Sequence, residues 1–442
     1  MTPLSLWLQT CGDALTPRPE LPGSLQADVA IVGAGFTGLW TAHHLLSHEP
    51  GLRVVIVERE VAGWGASGRN GGWCSALFPV PWTRVAREHG ADQARRMEQA
   101  LQRTVDDVGE WCEKYRVDAE YAKGGTLTLA RGPAQLSRLR QKAAGDLLSA
   151  QAARERVAAT NVDGAAFNRH CAAIHPARLV RGLARVVESQ GATIYEATPV
   201  TAIHPGRVVT PGGTVRADIV VRATEGYTAD LPGTHRLLAP VWSLVIATEP
   251  LDTELWEQIG WRDRETLADE RHLIIYAQRT ADGRVVFGGR GAPYRFGSRT
   301  DGDIGHADTY AGLERALHEL LPQTREVPIS HRWGGVIGVP RDFMPSVTLD
   351  RASGLGWAGG YVGDGVTCTA LAGRTLADLI LGRDTDRTHL PWVGHRWRRW
   401  EPEPLRWLGV RGMTALMASA DRAEARTGRP ARRAALLERL SG

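Results

Sequence analysis

The 442-residue chain carries a formal net charge of +4 and 43% hydrophobic residues, which is ordinary for a globular protein of two or three domains. It has no basic stripe to bind nucleic acid, no run of about 18 apolar residues to span a bilayer, and no basic-then-apolar secretory signal in its opening MTPLSLWLQTCGDALTPRPELPG. Five scattered cysteines (Cys11, Cys74, Cys112, Cys171, Cys368) form no CxxC pair, which points to reduced thiols and a cytoplasmic location and against a disulfide framework or a metal centre.

In chain order, DVAIV at 28–32 reads as a buried strand, GAGFTG follows at once, and LWTAHHLLSH has helical apolar spacing. A second strand, LRVVIVERE, completes a βαβ unit. Gly33-x-Gly35-x-x-Gly38 therefore sits where a strand opens into a helix. Gly33 suits the tight turn, Gly35 lets backbone approach a pyrophosphate, and Gly38 lets helix and strand pack closely. Unpaired N–H groups at the helix start would face the phosphates. Glu58 ends the second strand about 20 residues on, placed to accept ribose hydroxyls.

A second glycine-rich loop, GWGASGRNGGW at 63–73, comes next. A nicotinamide site has no special need for it. A loop that runs along an extended FAD does need small residues, with Ser67, Arg69 and Asn70 supplying polar and cationic groups for phosphates and ribityl chain. FAD is thus the expected cofactor.

Residues 88–118 read as helices, 124–130 as a strand, and the stretch to Arg156 as further helix. From 174, helix and strands follow, VRADIVVRAT (215–224) joining the same layer as the first strand. VWSLVIATEPL, RHLIIYAQRT and GRVVFGGRG suggest an antiparallel sheet inserted between about 240 and 330. LGWAGGYVGDGVTCTALAGRTLADLIL returns to strand, glycine turn and helix. The tail from about 390, with Trp392, Trp397, Trp400 and Trp407 among arginines, is either an arm packed across the domain by cation–π pairs or an amphipathic membrane-surface element.

The combination of ADVAIVGAGFTGLWTAHHLL, VVIVERE, GASGRNGG and GGYVGDGVTCTALAGRTLADLI resembles the D-amino-acid-oxidase-type family of FAD-dependent oxidoreductases, nearest its glycine oxidase and gamma-glutamylputrescine oxidoreductase branch. The resemblance implies an α/β fold, with a Rossmann-like FAD domain in pieces (1–90, 161–235, 331–390), a substrate domain on a mixed or antiparallel sheet (91–160, 236–330) and a helical C-terminal arm (391–442). It implies that Gly33, Gly35, Phe36, Thr37 and Gly38 meet the pyrophosphate, and Glu58 and Arg59 the adenosine side. Gly65, Ala66, Ser67, Arg69, Asn70, Gly71 and Gly72 would line the cofactor towards its ring, and the Val200 backbone would meet the adenine. Gly363, Asp364, Gly365, Val366 and Thr367 would open a helix facing the flavin's pyrimidine edge, where its N–H groups stabilise negative charge. Asp364 departs from the histidine or asparagine of many relatives. With no histidine in the loop and no cysteine before Cys74, the FAD is expected to bind non-covalently.

The implied chemistry is hydride removal from the carbon bearing nitrogen in an amine or amino acid, transfer to flavin N5, imine hydrolysis, and passage of electrons to oxygen or a carrier. Relatives that react with oxygen through a lysine have no obvious counterpart among Lys114, Lys123 and Lys142. Tyr276, Arg290 and Trp333 are the substrate-facing candidates; Arg290 could hold a carboxylate bidentately or be a solvated strand-edge arginine, and Trp333 reads more readily as packing than as part of a substrate cage. Tyr294, Arg295, His331 and Arg341 lie nearby in sequence. Hydroxy-acid oxidation, flavin monooxygenation and a non-catalytic flavin-binding subunit remain alternatives.

Overall fold

The structure, a computed structural model, describes residues 4–142, 145–289, 294–301 and 307–433. Leu25–Val32 begins the first sheet; its run of alternating and then continuously buried apolar side chains places it in the interior. Helix Phe36–His48 carries the chain over to Val54–Val57, which pairs with Leu25–Val32 in parallel and so completes a βαβ unit. Gly213–Arg222 pairs in parallel on the other side, with Val32 opposite Arg222. The path of the sheet runs from Ser346–Asp350 through Leu355–Gly359, Gly213–Arg222, Leu25–Val32 and Val54–Val57 to Thr193–Tyr195. Helices Phe36–His48 and Gly365–Ile380 pack against each other so closely that a Cβ at Gly373 would lie 2.5 Å from the Trp40 Cβ. The expected α/β layer is present.

Among the described residues the second sheet has eight strands, all paired antiparallel except Thr266–Asp269 beside Thr126–Ala130. The antiparallel strands expected from alternation are Leu238–Thr248, Ile275–Arg279 and Val285–Gly289. The long strand Ile329–Pro340 pairs along nearly all of Leu238–Thr248, so residues 329–340 belong to the second sheet. Asp146–Ser149, read as part of a helix, is instead an edge strand of this sheet. Its backbone finds partners in Gly164–Asn168, and such tertiary pairing overrides the local helix preference of neighbouring residues.

The tail packs on the body. Trp392 is fully buried, the Trp397 indole donates to the Met344 carbonyl at 3.0 Å, and the Trp400 indole donates to the Val339 carbonyl at 2.8 Å. Arg341 lies over Trp400 and Arg411 over Trp407, the cation–π contacts expected of a packed arm. Helix Leu405–Thr427 completes it; among the described residues no helix is long and apolar enough to cross a membrane.

Candidate active site

One cavity of about 810 Å³ runs from the carboxyl end of the parallel strands to the face of the second sheet. Two helix N-termini open into it: Gly35, Phe36 and Thr37 at the start of Phe36–His48, and Gly363, Asp364, Gly365 and Val366 at the start of Gly365–Ile380. Thr37 Oγ1 and the Tyr361 hydroxyl, 3.2 Å apart, tie them together. Gly33 has φ +106, and a Cβ there would stand 2.6 Å from the Ala223 carbonyl oxygen, so only glycine makes this turn. Gly38 does not line the cavity; it packs against the Gly33 carbonyl, the close helix–strand approach the motif needs.

The 63–73 loop lies along the same cavity and is held from behind. Four consecutive carbonyls are claimed by side chains distant in sequence: Gly68 by Ser5 Oγ (2.7 Å), Arg69 by Trp333 Nε1 (2.9 Å), Asn70 by Trp7 Nε1 (2.8 Å) and Gly71 by Gln278 Nε2 (3.0 Å). Ser67 Oγ accepts from the Phe36 N–H at 2.9 Å and so fixes one glycine turn against the other. The small residues leave room. A Cβ at Gly35 would come within 3.0 Å of Ser67 Oγ, one at Gly65 within 3.2 Å of the Tyr227 ring, and one at Gly71 within 2.7 Å of the Tyr276 ring. Two glycine turns, two helix N-termini and a backbone-lined trough fit an extended dinucleotide.

Some predicted contacts are spent inside the loop. The Asn70 side chain donates to the Ala66 and Ser67 carbonyls and accepts from the Gly72 N–H, so it shapes the turn. Arg69 is buried; its Nε donates to the Trp64 carbonyl at 2.8 Å and its guanidinium lies over the Trp64 ring. Gly72 and Thr367 stand outside the cavity lining; Thr367 Oγ1 is 3.3 Å from Cys74 Sγ. Arg59 lies at the rim, over the Tyr227 ring, and Val200 lines the wall beside Thr198. Cys74, the loop's first thiol, is buried away from the cavity, and burial raises its pKa far above the usual range.

Two carboxylates stand in the wall. Glu58 accepts from the Ala34 N–H at 2.8 Å and the Glu60 N–H at 3.1 Å, and burial pushes its carboxyl up. Glu225 has no counterpart in the sequence reading. It has φ +42, and its carboxylate accepts from the Gly338 N–H of the second sheet (3.2 Å) and from the Gly360 N–H just past a strand of the first (2.8 Å). It thus stitches the two sheets together at the cavity, and burial pushes it up to about 7 against these hydrogen bonds. Its position directly after VRADIVVRAT, at the carboxyl end of a parallel strand, is the signal that could have found it.

At the second sheet the Tyr276 and Ser243 hydroxyls meet at 2.8 Å, and both residues line the cavity. Arg341 lines it too, paired with Glu401 at 3.1 Å. Trp333 is fully buried behind the loop against Trp7 and its indole donates to the Arg69 carbonyl, so the packing reading holds and its candidacy as a substrate contact does not. His331 bonds Ser330 and Gln9, and Tyr294 bonds Ser298 and Glu403, both away from the cavity lining, as is Arg295. Arg290 lies outside the described residues.

A family model described as FAD-dependent oxidoreductase (DAO) matches residues 28–379. Gamma-glutamylputrescine oxidoreductase of Escherichia coli (strain K12) is 32% identical over 402 residues, covering 86% of this chain and 91% of that protein. Among solved structures, glycine oxidase from Geobacillus kaustophilus superposes with a TM-score of 0.69 at 22% identity, over 84% of this chain and 99% of that one. L-proline dehydrogenase from P. horikoshii superposes equally, at 0.69 and 18% identity, over 85% and 98%. Those two likenesses show the fold; the family match shows that the chain belongs to the DAO family of FAD-dependent oxidoreductases.

Proposed function

We propose that this member of the DAO family oxidises the carbon–nitrogen bond of an amine or amino acid. The observation that carries the reading is the continuity of one cavity from the two helix N-termini to the Tyr276–Ser243 hydroxyl pair. Support comes also from the relative named for gamma-glutamylputrescine, matched over most of both chains.

Gly33, Gly35, Thr37 and Ser67 would hold the diphosphate end of FAD, Glu58 and Val200 the adenosine end, and Gly71 and Gly363–Val366 the ring end, without a covalent link. FAD bound there would supply two-electron oxidation, accepting a hydride from the carbon bearing nitrogen so that the product would be an imine open to hydrolysis. The protein's part is placement. Tyr276 and Ser243 orient the nitrogen, and apolar walls such as Trp73, Leu77 and Phe343 favour the neutral amine, the form whose lone pair can assist hydride loss. The N-terminus of Gly365–Ile380 presents its positive end where negative charge accumulates. Lys114, Lys123 and Lys142 do not line the cavity, so electrons pass to oxygen or a carrier without a lysine among them.

The test is anaerobic titration of the purified yellow protein with amines, amino acids and hydroxy acids. Bleaching of the flavin by an amine or amino acid is expected. Bleaching by a hydroxy acid alone, or by none, contradicts the reading.

A further inference from the structure

Helix Leu405–Thr427 lies beyond the span of residues 28–379 matched by the family model, yet one of its faces closes the substrate end of the cavity. Leu405, Val410, Met413, Thr414 and Met417 all line it. At about 100° per residue these five positions fall within one half of the helix circumference.

The helix is fastened at both ends. At the start, Trp400 is bonded to Val339, and the buried Arg406 donates to Glu403 and to the His235 carbonyl. At the far end, Asp421 accepts from the backbone N–H groups of His272 (2.8 Å) and Leu273 (3.0 Å). One turn on, Glu424 accepts from two Arg138 nitrogens at 3.2 and 2.9 Å and stands 3.1 Å from His272 Nε2. Against the cost of burial, the hydrogen bonds from Arg138, the Ala431 N–H and His272 hold the Glu424 carboxyl down at about 2, so it is charged at neutral pH. His272 and Leu273 themselves line the opposite rim of the cavity, so this clamp joins the helix to the loop facing it.

From this we infer that Leu405–Thr427 is a specificity wall, in which Val410, Met413 and Met417 set the length of the apolar body a substrate carries behind its nitrogen. The inference rests on the reading that this end of the cavity takes the substrate. It names the class: an amine with an apolar body of several carbons. Apolar side chains dominate this face, and the two arginines nearby, Arg341 and Arg406, are already engaged by Glu401 and Glu403.

Two measurements on the holoprotein test it. Met413→Trp or Val410→Trp shortens the space, so the ratio of kcat/KM for hexylamine to that for ethylamine falls at least tenfold. An unchanged ratio overturns the wall. The second measurement needs no turnover. All five native cysteines are buried, so a thiol placed by Met417→Cys is the one a maleimide reaches. Labelling is expected to be at least tenfold faster when Asp421→Ala and Glu424→Ala release the clamp, with flavin absorbance retained. Equal rates overturn the clamped wall. If labelling responds and no amine bleaches the native flavin, the amine reading fails while the wall stands, and hydroxy acids of the same chain lengths replace the amines in the first measurement.

Discussion

The two ends of the cavity are built by opposite means. The cofactor end is backbone: glycine turns and helix N-termini, with the loop carbonyls of 68–71 turned back onto Ser5, Trp333, Trp7 and Gln278. The end proposed for the substrate is side chain: the Tyr276–Ser243 pair, the Arg341–Glu401 pair and the apolar face of a clamped helix. A backbone trough suits a ligand that never changes, since main-chain N–H groups cannot drift by substitution. A wall of side chains suits a ligand that differs between relatives, because one substitution reshapes it without disturbing the turns.

Substitutions that strike one end and spare the other sharpen the contrast, and the largest effect belongs to Gly33→Val. With φ +106 and the Ala223 carbonyl 2.6 Å from any Cβ, the turn must open. FAD affinity is expected to fall by more than about 100-fold (~3 kcal/mol), read from flavin retained after gel filtration. Tyr276→Phe keeps the ring packed on Gly71 and removes only the hydroxyl. The expected loss is about tenfold in kcat/KM for the amine (~1.4 kcal/mol) with FAD affinity unchanged. Ser67→Ala removes the acceptor of the Phe36 N–H, and FAD should bind about fivefold more weakly (~1 kcal/mol) by fluorescence titration.

The smallest effect is a pH dependence. Burial raises the Glu225 carboxyl to about 7, so it is neutral below that pH and gains charge as pH rises through it. A negative charge in the wall that receives an anionic cofactor weakens binding. FAD affinity is therefore expected to drop about threefold above pH ~7. The same sign holds for stability, in a lower window: the contribution is fully present below the ordinary carboxyl value of 4.5 and is lost progressively as pH rises to about 7. Glu225→Gln should flatten both profiles, at the cost of one of the two N–H acceptors.

The same contrast explains what the sequence made legible. Gly33, Gly35, Gly38 and Glu58 lie within one βαβ unit, so their spacing alone carries their purpose. The second glycine loop was readable for the same reason, though its Asn70 serves the turn. What closes the trough from behind was not readable, since Ser5 meets Gly68 across 63 residues and Trp333 meets Arg69 across 264. Trp333 therefore stands in the sequence as a substrate-facing candidate that reads more readily as packing, with nothing to say what it packs on. The helix over the substrate end carried no local motif either; only the fold brings Met413 over a cavity whose other wall is Tyr276.

The most direct test of this division is a double-mutant cycle on Ser67→Ala and Tyr276→Phe, recording FAD dissociation and the rate of amine-driven flavin reduction for all four proteins. The account predicts that each substitution moves only its own quantity and that the double variant is their sum within about 0.5 kcal/mol. A coupling above about 1 kcal/mol, or loss of flavin from Tyr276→Phe alone, would contradict it.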